Sequence, residues 1–261
     1  MRKARVAFLL AFLSGVPALG AEILVAASAN ASHVIRDLAS AFEKESGHRV
    51  RVSVAASGTI YTQILNGAPF DAFFSADKEY PQRLVEAGLA EADSLTVYAI
   101  GRLALWSPNR NVVDVARLEM KALVHPGVRK VAIANPRHAP YGEYALEAVR
   151  HFGLEEEIRP KLVLGENAAQ ALQFADSGAA QLAIIPLSLA LSYSGPANAG
   201  YWTIPESAHS KLEQAAVVLK GGKADVGIVK RFLSFTKSEK GRKLLEDYGY
   251  ALPEKGQVNR P

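Results

Sequence analysis

Segments in which apolar residues alternate give way, again and again, to segments in which they recur every three or four positions. Glu22 to Ala27 reads as a short apolar strand, and Ile35, Leu38, Ala39 and Phe42 form a helix face. Val50, Val52 and Val54 alternate as in a strand, Tyr61, Ile64 and Leu65 return to helical spacing, and Ala72 to Ser75 is strand again. A βαβαβ start of this kind demands a parallel sheet with right-handed crossovers. Open sheets of that type take ligands beyond the carboxyl ends of their strands.

After Leu89 the pattern changes to a long strand-like run, Leu95 to Trp106, interrupted by Gly101 and closed by Ser107-Pro108-Asn109. Such a run suits a segment passing from one lobe into another. The alternation then restarts, with strands at Val131 to Ala134, Lys161 to Leu164 and Leu182 to Ile185. Helix faces lie between them at Ala145, Ala148, Val149 and Phe152, and at Ala168, Ala171, Leu172 and Ala175. Tyr201 to Ile204 is extended and Ala215 to Leu219 reads as a buried strand. Two helices follow, with faces at Val229, Phe232 and Leu233 and at Leu244 and Leu245. These last elements lack strands for a third domain and are expected to return to the first lobe. The expected division is a leader at 1–20, one lobe from 21–104 plus 206–261, and a second lobe at 105–205, with a cleft between them.

The leader sets the compartment. Arg2, Lys3 and Arg5 precede an apolar stretch, Val6 to Leu13, too short to span a bilayer, and Ala18-Leu19-Gly20 supplies the small residues of a peptidase site. Cleavage after Gly20 predicts export to the periplasm and lowers the formal charge from +4 to +1, because only Arg2, Lys3 and Arg5 are lost. A nearly neutral mature chain without a basic run has no electrostatic footprint for nucleic acid or anionic lipid. Cysteine is absent, which excludes disulfides, thiolate nucleophiles and cysteine metal sites.

Enzyme motifs are missing. No G-x-S-x-G, Walker loop, G-x-G-x-x-G or H-E-x-x-H occurs, and His33, His48, His125, His138, His151 and His209 are scattered rather than set at metal-ligand spacing. Glu155, Glu156 and Glu157 read as a solvated helix start, with no second carboxylate to make an acid/base pair. Neither a cofactor nor a direct protein–metal ligand is expected.

What remains is a set of donors at strand-to-helix junctions: Ser28 and Ala29, Ser57-Gly58-Thr59, Pro140-Tyr141-Gly142, and Asn167-Ala168. Each alone is an ordinary cap or turn. Together, four helix N-termini at about half a positive charge each balance a dianion without any basic side chain. Donors without acceptors favour an anion that carries no proton.

At these residues the chain resembles the periplasmic molybdate-binding proteins, the substrate-binding components of molybdate ABC transporters, from Ala21 to near the C-terminus. The resemblance is carried by Val25-Ala26-Ala27-Ser28, Ala56-Ser57-Gly58-Thr59, Asn66 to Asp71, Phe74-Ser75-Ala76-Asp77, Asn135 to Gly142, and Asp247-Tyr248-Gly249-Tyr250. It implies a type II periplasmic-binding-protein fold of class α/β, each lobe a mostly parallel sheet flanked by helices, with the ligand in the interlobe cleft. It also implies a pocket made from Ser28, Ser57, the N–H groups of Ala76 and Ala168, and a tyrosine hydroxyl. Some members carry that tyrosine after the strand equivalent to Ala183 to Ile185, where this chain has Pro186; others carry it in the Pro-Tyr-Gly segment. Tyr141 is therefore assigned here, with Ala29 adding an N–H.

The resulting expectation is a monomeric receptor that binds molybdate, and tungstate, and delivers it to a membrane permease. Two alternatives are a receptor for sulfate, phosphate or chromate and an exported phosphate-ester hydrolase. The hydrolase would need a base or metal near Ser28 or Ser57, and none is visible in the sequence. A cytoplasmic effector-sensing domain could share the fold, but it should lack the leader and carry a DNA-binding segment.

Overall fold

The computed structural model describes residues 20–253, so the expected leader lies outside the described residues except for Gly20. The alternation forms two five-stranded sheets among the described residues. The first lobe begins with β1 (Glu22–Ser28), a 3-10 turn at Ala29–Ala31, α1 (Ser32–Ser46), β2 (Arg49–Ala55) and α2 (Ser57–Leu65). It continues through β3 (Ala72–Phe74), α3 (Glu79–Glu86) and β4 (Thr96–Ile100). The second lobe holds β5 (Leu103–Ser107), α4 (Val115–Leu118), β6 (Val131–Ala134), α5 (Pro140–His151) and α6 (Glu155–Ile158). There follow β7 (Leu162–Gly165), α7 (Ala168–Asp176), β8 (Leu182–Pro186), α8 (Leu187–Leu191) and β9 (Gly200–Thr203). The chain then returns as β10 (Glu213–Val218), α9 (Val226–Phe235) and α10 (Glu239–Asp247).

Strand order is β2-β1-β3-β10-β4 in the first sheet and β7-β6-β8-β5-β9 in the second. In each sheet one strand runs against its neighbours, β10 in the first and β5 in the second. The core of each sheet is the parallel trio expected from the βαβ pattern. Because successive side chains of a strand point to opposite faces, Phe74 joins α1, α9 and α10 on one face of the first sheet. Phe73 joins Ile60, Ile64 and Leu84 on the other. Phe232 of α9 meets Phe42 and Phe74 edge-on, with centroids 5.2 and 5.7 Å away.

The helix faces differ from expectation at a few positions. In α2 the sheet is met by Ile60 and Ile64, four residues apart, and Leu65 stands 48% exposed. Phe152 lies beyond the end of α5 and is exposed.

The lobe boundaries also need correction. β5 pairs with β8, so residues 103 and 104 already belong to the second sheet and the first crossing is at Gly101-Arg102. On the return, Ala208 and Leu212 still pack in the second lobe's core, and the chain rejoins the first sheet only at Glu213. Gly101 interrupts the apolar run, but only strand pairing shows that the chain changes sheets there. The two crossings lie side by side, with the Gly101 N–H donating to the Leu212 carbonyl at 2.8 Å.

Candidate anion-binding site

Ser28 closes β1, Ser57 follows β2, Ala76 follows β3, Tyr141 follows β6 and Ala168 follows β7. All five therefore stand past the carboxyl ends of parallel strands, three in one lobe and two in the other, as the ligand rule for such sheets requires. The fold draws them together. Ala76 packs into the apolar cluster that contains Tyr141, Ala56 into the cluster that contains Ala168, and α7 touches the turn Ala29–Ala31. Ser28, Ala29, Ser57, Ala76, Tyr141 and Ala168 are each 5% exposed or less, so the donors are enclosed between the lobes.

The serine hydroxyls are not used as helix caps. Ser28 precedes its turn in an extended conformation with no side-chain capping bond, and α2 is capped from Ala56, which puts Ser57 inside the first turn. Ser57 Oγ accepts the Ala76 N–H at 3.0 Å, which leaves the hydroxyl hydrogen of Ser57 to donate. Ala76, expected as a direct N–H donor, directs its N–H to Ser57 Oγ in this structure. At α7 the side chain of Asn167 accepts from the Gln170 N–H at 3.1 Å, so the cap leaves the N–H of Ala168 at the helix start uncommitted.

Tyr141 is held from the opposite lobe. Its oxygen accepts from Gln214 Nε2 at 2.8 Å, and no acceptor for its own hydrogen is found among the described residues. Burial pushes the Tyr141 phenol well above its ordinary value, and the neighbouring phenols Tyr250 and Tyr98 add to this, so it stays protonated as a donor.

The surroundings carry no cation. Among the described residues no lysine or arginine is buried, and the buried carboxylate Asp71 is engaged by the N–H groups of Leu24, Lys223 and Ala224 at 2.6–2.8 Å. The Arg137 side chain is exposed, and the ring of His138 turns to Glu166, with Nε2 3.2 Å from Oε1. No group of three or more His, Asp or Glu able to hold a metal is found among the described residues. Nor is any described helix long and apolar enough to cross a membrane. An open groove of about 610 Å³ runs along α2 from Gly58 to Ala68 with His138 on its far wall; it lies beside the enclosed donors and does not contain them.

Sequence reasoning missed a buried polar network at the lobe junction. Asn30 Nδ2 donates to Gln214 Oε1 at 2.8 Å and to the Tyr250 hydroxyl at 3.2 Å. The Asn30 carbonyl accepts from Ser188 Oγ of the second lobe at 2.8 Å and from Tyr250 at 3.0 Å. The available signal was a glutamine opening the apolar strand Ala215 to Leu219.

A family model for bacterial extracellular solute-binding proteins matches residues 23–251. The chain is 36% identical over 236 residues to the molybdate-binding protein ModA of Rhodobacter capsulatus, covering 90% of each chain. It is 37% identical over 237 residues to ModA of Azotobacter vinelandii, covering 90% of this chain and 92% of that one. The solved Azotobacter vinelandii periplasmic molybdate-binding protein superposes with a TM-score of 0.82 at 33% identity, over 89% of this chain and 100% of the other. The two-lobed α/β architecture, the enclosed donor set and these likenesses agree: the chain belongs to the bacterial extracellular solute-binding proteins, in the family of the two ModA relatives.

Proposed function

We propose that this protein is a periplasmic receptor that binds molybdate, and tungstate, in the cleft between its lobes and delivers the anion to the permease of an ABC transporter. The observation that carries the reading is a buried site of hydroxyl and N–H donors from both lobes without a buried cation. Helix N-termini supply about half a positive charge each, so the turn at Ala29, α2, α5 and α7 together offset a doubly charged tetrahedral oxyanion. The relatives' molybdate binding points to the same ligand. Ser28, Ser57 and Tyr141 supply hydroxyls, and Ala29, Ala76 and Ala168 supply N–H groups. The protein acts as an exported monomer, binds without catalysis and needs no resident cofactor.

Calorimetric titration of the mature protein with molybdate, tungstate, sulfate, phosphate and chromate tests this. Molybdate and tungstate bind tightly and sulfate far more weakly, because donors fixed around a large tetrahedron cannot all close on a small one. Sulfate affinity equal to that for molybdate would turn the reading into a general oxyanion receptor.

A further inference from the structure

Gln214 is fully buried at the start of β10, where the ladder with β4 is irregular. Gln214 pairs with Ala99 and Ala215 with Val97, which leaves Tyr98 as an extra residue with no opposite partner. A bulge of this kind re-aims side chains. Here the Tyr98 hydroxyl donates to Gln214 Oε1 at 2.9 Å, and Asn30 Nδ2 donates to the same oxygen at 2.8 Å. Both donate to one side of the amide. With Oε1 toward them, Nε2 faces away, toward the Tyr141 hydroxyl 2.8 Å off in the other lobe.

We infer that Gln214 is a positioning residue that makes the Tyr141 hydroxyl an obligate donor to the bound anion and thereby disfavours tetrahedral anions that would present a proton to it. This rests on the anion-receptor reading above. A tyrosine hydroxyl left to itself can donate or accept, and could accept the hydrogen of a protonated oxyanion. With the Gln214 amide hydrogen already on its oxygen, Tyr141 presents its own hydrogen to the ligand, and a protonated oxygen finds no acceptor there. Gly101 protects the arrangement. A Cβ at that position would lie 2.2 Å from the Tyr141 hydroxyl and 2.6 Å from Gln214 Nε2, so the crossing backbone passes the pair only as glycine. The bond joins the first lobe's β10 to the second lobe's α5.

The test is calorimetric titration of the wild-type protein, Gln214→Met, Tyr141→Phe and the double variant with molybdate and with phosphate at a pH where monohydrogen phosphate dominates. Thermal melting checks the fold, and Gln214→Asn, which keeps a buried amide but withdraws it by one methylene, serves should the methionine variant fail to fold. Gln214→Met is expected to weaken molybdate about tenfold in the wild-type background and less than about twofold in Tyr141→Phe. It is also expected to narrow the preference for molybdate over hydrogen phosphate. Equal losses in both backgrounds, or an unchanged preference, overturn the positioning role. Failure of the wild-type protein to bind molybdate overturns the receptor reading instead.

Discussion

The amide N–H of Gly58, in the first turn of α2, donates across the cleft to the carbonyl oxygen of His138 in the second lobe at 2.8 Å. One donor of α2 thus ties the lobes together while Ser57 beside it faces the site. The approach is close: a Cβ on Gly58 would lie 2.6 Å from the Tyr80 hydroxyl and 2.8 Å from His138 Cβ.

Gly58→Ala should therefore hold the lobes apart without harming α2, in which alanine is the better helix former. Molybdate affinity is expected to fall at least about tenfold while the melting temperature holds. Scattering profiles of the wild-type protein should contract on adding molybdate, since a ligand held by both lobes shifts the population toward the closed form. The variant's should contract less. Unchanged affinity and equal contraction would mean that closure does not depend on this contact.

Ser57→Ala and Tyr141→Phe each remove one hydroxyl donor to a charged acceptor in an enclosed site. Each is expected to weaken molybdate roughly tenfold to a hundredfold, a contact of about 1.5–3 kcal/mol. Arg137→Ala, at an exposed position, should change affinity by less than about threefold. Titration calorimetry on the three variants decides the matter: loss of binding on removing Arg137 alone would replace the helix-terminus account with an ion pair.

Asp77 follows Ala76 at the cleft. Burial raises its carboxyl to about 6, against hydrogen bonds from the Ser75 hydroxyl and the Tyr80 N–H, and Glu79 and Glu143 add to the rise. The folded protein holds this proton more tightly than the unfolded chain does. The contribution of Asp77 to stability is therefore greatest below the ordinary carboxylate range, falls as pH rises to about 6, and is level above. Asp77→Asn should stabilise the protein above pH 6 by on the order of 1–3 kcal/mol and give no gain below about pH 4. Melting curves across that range test it; a gain independent of pH would assign the effect to packing.

Phe232 lies fully buried in α9 against Phe42 and Phe74. Phe232→Ala should cost about 3–5 kcal/mol in denaturant unfolding, with the loss falling on the first lobe, to which the C-terminal helices belong. A variant unfolding like wild type would separate α9 from that core.

Much of the architecture was written in local patterns. The spacing of Ile35, Leu38, Ala39 and Phe42 and the alternation of Val50, Val52 and Val54 report which face of each element is buried, and in βα units that face dictates a parallel sheet. The placement of Ser28 and Ser57 was legible for a related reason. A strand that ends in Ser28, or is followed by Ser57, just before a helix must put that residue at the sheet's carboxyl end whatever the rest of the chain does. The crossing had a partial sign: Gly101 interrupts the run from Leu95 to Trp106, but that the chain changes sheets there follows only from which strands pair. Two things had no local sign. That the Ala76 N–H meets Ser57 Oγ depends on a bond between residues nineteen positions apart. The Tyr98, Asn30 and Gln214 network that aims Tyr141 joins partners separated by 73 to 184 residues. Burial periodicity is a property of neighbours along the chain and survives in the sequence; the direction of a buried hydrogen bond belongs to neighbours in space, and only the packing of the two lobes decides it.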